Sequence, residues 1–292
     1  MTEHTPRLAV ALGSSFLGFP THYGFLSELV GSGWAPAAIS GCSSGAIIAG
    51  LYAAGVSLET MEELCTRRHL QRYFYEWRMP FRAFGTLLGI PGYPAVFRGD
   101  KFGDLLKELV GNKRIEECST ASLHIAVTNL SAHRVEIRDR GPLVETILAS
   151  CALPGIIAPR VIDGEIFWDG GLGSSVPVEP FLENDTITHL ATHSILHEEQ
   201  IRARKRKRGY NFADAMLAGH QLTADELLYW KLKLARSARK TVVSAETITP
   251  RPRLGLPLTL PPPKPWPECA RSFMQFGAAS ARHVINEFKT AA

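Results

Sequence analysis

No two cysteines in this chain share a C-x-x-C spacing. The five present (42, 65, 118, 151 and 269) are odd in number and scattered, which argues against a disulfide framework or a zinc site and suits a reducing compartment. Strong charge of one sign is missing too. A formal net charge of +4 over 292 residues is far from the basic profile of a dedicated nucleic-acid binder. The longest uncharged stretch, Val30 to Leu58, could span a bilayer by length. It is broken by "GSG", "APAA" and "SGCSSG", and its Ala, Gly and Ser contribute little to insertion, so a buried strand, turn and helix are expected there. The polar opening "MTEHTPR" precedes an apolar "LAVAL" too short for a signal-peptide core, and no export signal is expected. Neither a repeat nor a convincing linker divides the chain, so one domain over residues 1–292 is the expectation. Apolar residues at 45% and charged residues at 21% suffice for a sizeable core.

What is there alternates. "RLAVALG" reads as a buried strand, "HYGFLSELVGSG" as a helix stopped by Gly31 and Gly33, "APAAISG" as a second strand and "GAIIAGLYAAG" as an Ala-rich helix. That alternation predicts a parallel sheet covered by helices. Residues 57–99 break the pattern, with six aromatics between Tyr73 and Phe84. We expect a cap or insertion here whose aromatics pack a satellite core, with lipid contact as the competing reading. Further on, "KFGDLLKELVG" predicts an amphipathic helix, "LHIAVTNL" a buried strand and "RVEIRD" an edge strand. "LVETILASCALPG" predicts a helix and "RVIDGEIFWDGG" a hairpin turning at Asp163-Gly164. "THLATHSI" and "TVVSAETITP" are strands, Phe212 to about Lys240 is helical, and "ECARSFMQFGAASARHVINEF" is a closing helix after a proline-rich excursion.

One stretch raises a question of chemistry. Gly41-Cys42-Ser43-Ser44-Gly45 has the form G-x-S-x-G and falls between a predicted strand and a predicted helix. A serine hydroxyl is a poor nucleophile unless the fold presents it at a sharp bend, removes its proton and stabilises the oxyanion. Here Gly41 and Gly45 remove side chains that would collide in such a turn, and the helix start supplies free N–H groups. A Gly/Ser-rich turn that merely permits close strand-helix contact would look the same.

For the base, a late histidine is the usual choice, and His189, His193, His197, His220 and His283 all lie downstream. None has a distinctive setting. Asp169 has one, at the end of a predicted strand and followed by Gly170-Gly171, where open α/β sheets place their sites. An Asp-Gly turn without chemistry accounts for it equally well on spacing alone.

Taken together, "LGSSFLG", "GCSSG" and "ASCALPGIIAPRVIDGEIFWDGGLGSSVPV" resemble the patatin-like phospholipase family, which pairs a G-x-S-x-G serine with the aspartate of a D-G-[GA] motif. The resemblance is good from Leu8 to about Val178 and weaker as far as "FGAASA". It implies a three-layer α/β fold with a central, mainly parallel sheet flanked by helices, and a lipid acyl hydrolase working through an acyl-enzyme. It makes Ser43 the nucleophile and Asp169 the general base, with no histidine, metal or cofactor required. The backbone N–H groups of Gly13, Ser14, Ser15 and Ser44 become the expected oxyanion donors. The chain departs from the family in one loop. The family's G-x-G-x-x-G, with a cation before the last Gly, here reads Gly13-Ser14-Ser15-Phe16-Leu17-Gly18, so Ser15 replaces a Gly and Leu17 the cation. That departure motivates one rival, a catalytically weak member that binds lipid or protein. A histidine-dependent esterase of the α/β-hydrolase type is the other.

Arg202 to Arg208, "RARKRKR", packs six cations. A solvated loop is the ordinary reading of such a run. Contact with an anionic membrane surface is the functional reading, since each cation near the headgroups contributes on the order of 1 kcal/mol. Nucleic acid is not expected, for want of a reading motif. The expected location is cytoplasmic, with peripheral membrane contact, and the expected partner is a lipid substrate.

Overall fold

The computed structural model describes residues 7–74, 76–198, 201, 212–250 and 265–291. The basic run at 202–208 and nearly all of the proline-rich excursion lie outside the described residues.

Five strands run parallel through the middle of the molecule. Their order is β10 (Thr241–Thr249), β9 (His189–His197), β1 (Leu8–Leu12), β2 (Ala38–Gly41) and β4 (Ser122–Asn129). β1 and β2 are buried along their whole length, as strands of a sheet covered on both faces must be. Alternation sorts their side chains. Leu8, Val10, Leu12 and Ile39 enter the larger core, whereas Ala9, Ala11 and Ala38 face the smaller one with Val178, Phe181 and Leu190. The larger core is covered by α1 (Phe19–Gly31), α2 (Ser44–Ala53), α3 (Leu58–Cys65), α5 (Asp100–Val110), α6 (Leu143–Ser150) and α9 (Trp266–Ala291). The smaller is covered by α7 (Glu179–Leu182) and by Leu232 and Ala235 of α8 (Phe212–Ser237). This is the three-layer α/β architecture expected from the sequence.

The rest of the sheet is antiparallel. β5 (Arg134–Arg138) borders one side of β4. On the other side β4 carries two strands end to end, because β2 pairs with residues 122–125 and β8 (Glu165–Asp169) pairs with residues 127–129 in the opposite direction. β2 and β8 therefore meet head to head, with Gly41 opposite Ile125 and Asp169 opposite Val127. β8 is delivered there by its hairpin with β7 (Arg160–Ile162), which turns at Asp163 (φ 54°) and Gly164 (φ 83°) as Asp-Gly predicts.

Residues 57–99 divide. α3 joins the core through Met61, Leu64 and Cys65, and Tyr73 and Phe74 pack against it, Phe74 stacking on Phe102. α4 (Met79–Leu87) instead leaves Phe81 and Phe84 exposed, and Trp77 before it is exposed as well. β3 (Ala95–Phe97) then pairs with β6 (Gly155–Ile157) in a separate two-stranded sheet.

Candidate active site

Ser43 stands at the junction of β2 and α2 with φ 52° and ψ −119°, a backbone conformation that an L residue adopts only under constraint. The constraint is visible on every side. Cys42 N–H donates to the Leu12 carbonyl at 3.0 Å. Ser43 N–H donates to Ser150 Oγ at 2.8 Å, and Ser150 Oγ donates onward to the Ala126 carbonyl at 2.7 Å. A Cβ on Gly41 would lie 2.6 Å from the Ala46 backbone, and one on Gly45 would lie 2.6 Å from the Leu12 carbonyl carbon. Both elbow glycines are needed for space, and neither has a positive φ.

Asp169 is brought to the serine by the head-to-head meeting of β2 and β8. Its N–H donates to the Ala152 carbonyl at 3.0 Å, and its carbonyl accepts from Thr128 Oγ1 at 2.9 Å. Its Oδ1 accepts from Gly171 N–H at 2.7 Å and from the Cys42 thiol at 3.7 Å. The carboxyl is buried. Desolvation raises its pKa to about 6, against the lowering influence of the Gly171 amide, the Ser43 hydroxyl and the Cys42 thiol. Gly170 and Gly171 again supply space: a Cβ on Gly171 would lie 2.8 Å from Ser14 Oγ and 3.0 Å from Asp169 Oδ1.

The loop after β1 completes the cluster, and here the expected oxyanion donors divide. Gly13 N–H donates to the His193 carbonyl at 2.9 Å and Ser14 N–H to the Ser175 carbonyl at 2.7 Å, so these two amides are spent on holding the loop. Ser15 and Ser44 are the two whose amides have no acceptor among the described residues. Their hydroxyls meet at 3.1 Å, joining the loop to the first turn of α2. Leu17, where the family carries a cation, has φ 55° and packs against the larger core.

Beneath the loop lies a polar chain that the sequence reading missed. His22 and His193 are fully buried, Nδ1 to Nδ1 at 2.9 Å, with Phe25 stacked on His193. His22 Nε2 bonds the Gly13 carbonyl at 2.8 Å. That carbonyl can only accept, so Nε2 carries the proton. Burial holds the His22 pKa down at about 3 and lowers that of His193, so both rings are neutral. His22 Nδ1 therefore accepts from His193 Nδ1–H, and His193 Nε2 accepts from Thr247 Oγ1 at 2.8 Å. Thr247 Oγ1 in turn lies 2.6 Å from Ser280 Oγ on α9. The chain runs from Gly13 through the two rings to Thr247 and Ser280 and does not include Ser43.

Two of the other downstream histidines have partners of their own, and His283 is exposed on α9. His189 touches Thr188, Trp34 and Phe288, and His197 bonds Thr249. The side chain of His220 lies outside the described residues. A separate Ser122–His124 contact of 3.3 Å belongs to the opposite, N-terminal end of β4. It lines a concavity of about 370 Å³ that includes neither Ser43 nor Asp169. Ser150 and Cys151 were within reach of sequence reasoning, since both belong to "ASCALPG". Cys151 lies beside Asp169 and Ser43, its thiol pushed up by burial and by the carboxylate.

A constrained serine and a buried carboxyl lie side by side at the C-terminal edge of the sheet in a three-layer fold, and among the described residues no histidine lies between them. The patatin-like phospholipase family profile matches residues 11–182, well over half of the chain, and the chain belongs to that family. An uncharacterised NTE family protein of Mycobacterium tuberculosis (strain H37Rv) is 32% identical over 176 residues, covering 60% of this chain and 46% of that one. The lysophospholipase NTE1 of Cryptococcus neoformans is 28% identical over 181 residues, covering 61% of this chain and 10% of that one. The chain thus spans about half the length of its mycobacterial relatives. VipD of Legionella pneumophila, at 12% identity, superposes with a TM-score of 0.51 over 97% of this chain and 67% of its own, a likeness of fold alone.

Proposed function

We propose that this chain hydrolyses a carboxylic ester of a lipid, with Ser43 as nucleophile and Asp169 as general base. The observation that carries the reading is a buried carboxyl of raised pKa beside a serine held in a disfavoured backbone conformation. A base of pKa about 6 is ionised at neutral pH yet accepts a proton more readily than an ordinary aspartate. As Ser43 Oγ attacks the ester carbon, its proton passes to Asp169. The Ser15 and Ser44 amides receive the charge that builds on the carbonyl oxygen. Collapse expels the alcohol, which takes the proton from Asp169. Water then attacks the acyl-Ser43 ester and gives its proton to Asp169; collapse breaks the acyl–Oγ bond, Ser43 Oγ takes that proton back from Asp169, and a free fatty acid leaves with the site restored. Membership of the family and the lysophospholipase among the relatives support a lipid substrate.

The test is incubation of the full chain with a lipid mixture and identification of products by mass spectrometry. Free fatty acid is expected from the parent and not from Ser43→Ala. An unchanged lipid mixture with a well-folded parent would contradict the reading. It would favour a binder without turnover, for which the loss of a loop cation at Leu17 is the specific argument.

A further inference from the structure

The segment from Trp77 to Ile90 exposes far more apolar surface than its neighbours. Trp77, Phe81, Phe84, Leu87 and Leu88 are between 59% and 85% exposed. Scattered exposed hydrophobes need no explanation, but five large ones in twelve consecutive positions form a patch, and such patches mark interaction surfaces. The helix is ordered by its other face. Met79 is buried, Gly85 packs on the Tyr93 ring, and Arg82 donates to the Ala95 and Val96 carbonyls at 3.0 and 3.1 Å. With Met79, Arg82 and Gly85 turned inward, Phe81, Phe84 and Leu88 at i, i+3 and i+7 form an outward stripe.

Charge decides what this stripe meets. Of the six arginines between Arg67 and Arg98, Arg82 is turned inward and Arg98 pairs with Asp100 at 2.8 Å, which leaves Arg67, Arg68, Arg72 and Arg78 exposed against one acidic residue of that stretch, Glu76. Arg78 lies over the Trp77 ring at 5.0 Å, an aromatic-cation pair suited to the boundary between headgroups and acyl chains. A second copy of this chain would bring the same arginine excess against itself, whereas an anionic lipid surface complements it. The patch is joined to the site region by strand pairing. β3 follows α4 directly and pairs with β6, which lies in the chain between Cys151 and Asp169.

We propose that α4 and its flanks, from Trp77 to Ile90, dock on an anionic phospholipid surface, with the apolar stripe in the interface and Arg78 at headgroup level. The purpose of the docking rests on the lipid-hydrolase reading, but the docking itself is measured separately. Flotation of the full chain with phosphatidylcholine vesicles, with and without phosphatidylglycerol, is compared with that of Phe81→Glu/Phe84→Glu. Both positions are exposed, so equal melting temperatures verify the fold. The parent is expected to bind the anionic vesicles, more weakly at high salt. The variant should lose about tenfold or more in affinity, while its hydrolysis of a soluble short-chain ester is unchanged. Equal binding by parent and variant would assign any attraction to Arg202–Arg208 and overturn the proposal. So would a parent dimer that the variant dissociates, with no vesicle binding. Absence of soluble-ester hydrolysis in a parent that still binds would strike the proposed function alone.

Discussion

Asp169 is costly to keep charged. Among the described residues no cation pairs with it, and burial lifts its pKa from 3.8 to about 6. A carboxyl whose pKa is raised on folding lowers stability wherever it is ionised in both states. The cost is full above about pH 6 and fades as pH falls towards 3.8. Asp169→Asn should therefore raise the melting temperature at pH 8, by on the order of 2–3 kcal/mol of stability, with the gain shrinking below pH 6. Turnover should fall by about 10²–10⁴. Thermal melts at pH 8 and pH 4.5 check the first half, and a variant no more stable than the parent at pH 8 would mean the carboxylate is better solvated than its burial indicates. In the parent, kcat/KM should rise with pH through about 6 as Asp169 ionises. A rate flat from pH 5 to pH 8 would remove it as the base.

The strand-turn-helix around Ser43 and the Asp-Gly hairpin before Asp169 were legible because their signals are local: glycine spacing, alternation and turn chemistry. The fate of the Gly13 and Ser14 amides was not, since their acceptors lie on His193 and Ser175, far along the chain. The same holds for the crossing of α1 and α9. A Cβ on Gly277 would press into the Thr21 carbonyl of α1, and one on Gly24 into the Met274 backbone of α9, so the two helices touch backbone to backbone. "FGAASA" signals small residues, but only the crossing explains them. In an exposed helix Gly→Ala gains up to about 1 kcal/mol. At Gly277 the sign should reverse, with Gly277→Ala destabilising and Gly277→Val costing about 3 kcal/mol or more, measured by urea unfolding. A stabilised Gly277→Ala would show that the helices can part without loss.

Across the whole molecule, the alternation of strands and helices predicted a parallel sheet covered by helices. The head-to-head placement of β2 and β8 on β4, which unites Ser43 with Asp169, is a property of strand order that no local pattern encodes. The aromatic segment was half legible: Tyr73 and Phe74 pack inward, though on the larger core and not on the satellite core expected, while Trp77, Phe81 and Phe84 face out. Neutral burial of His22 and His193 gives the fold an acid limit. A histidine whose pKa is depressed on folding supports full stability above its unfolded value near 6.5. That support is lost as pH falls towards about 3 for His22. Two histidines outweigh the opposite, smaller gain at Asp169, so melting temperature should drop steadily from pH 6.5 to pH 4. A flat profile over that range would mean the pair is charged or solvated in the fold.

The central claim is that Ser43 is an activated nucleophile, and a fluorophosphonate probe tests it most directly. Phosphonylation needs an accessible serine, a base for its proton and donors to the new oxyanion, all at once. The account predicts a single adduct on Ser43, found by peptide mass spectrometry, lost in Ser43→Ala and strongly slowed in Asp169→Asn. Labelling that persists in Ser43→Ala, or a well-folded parent that never labels, would contradict it.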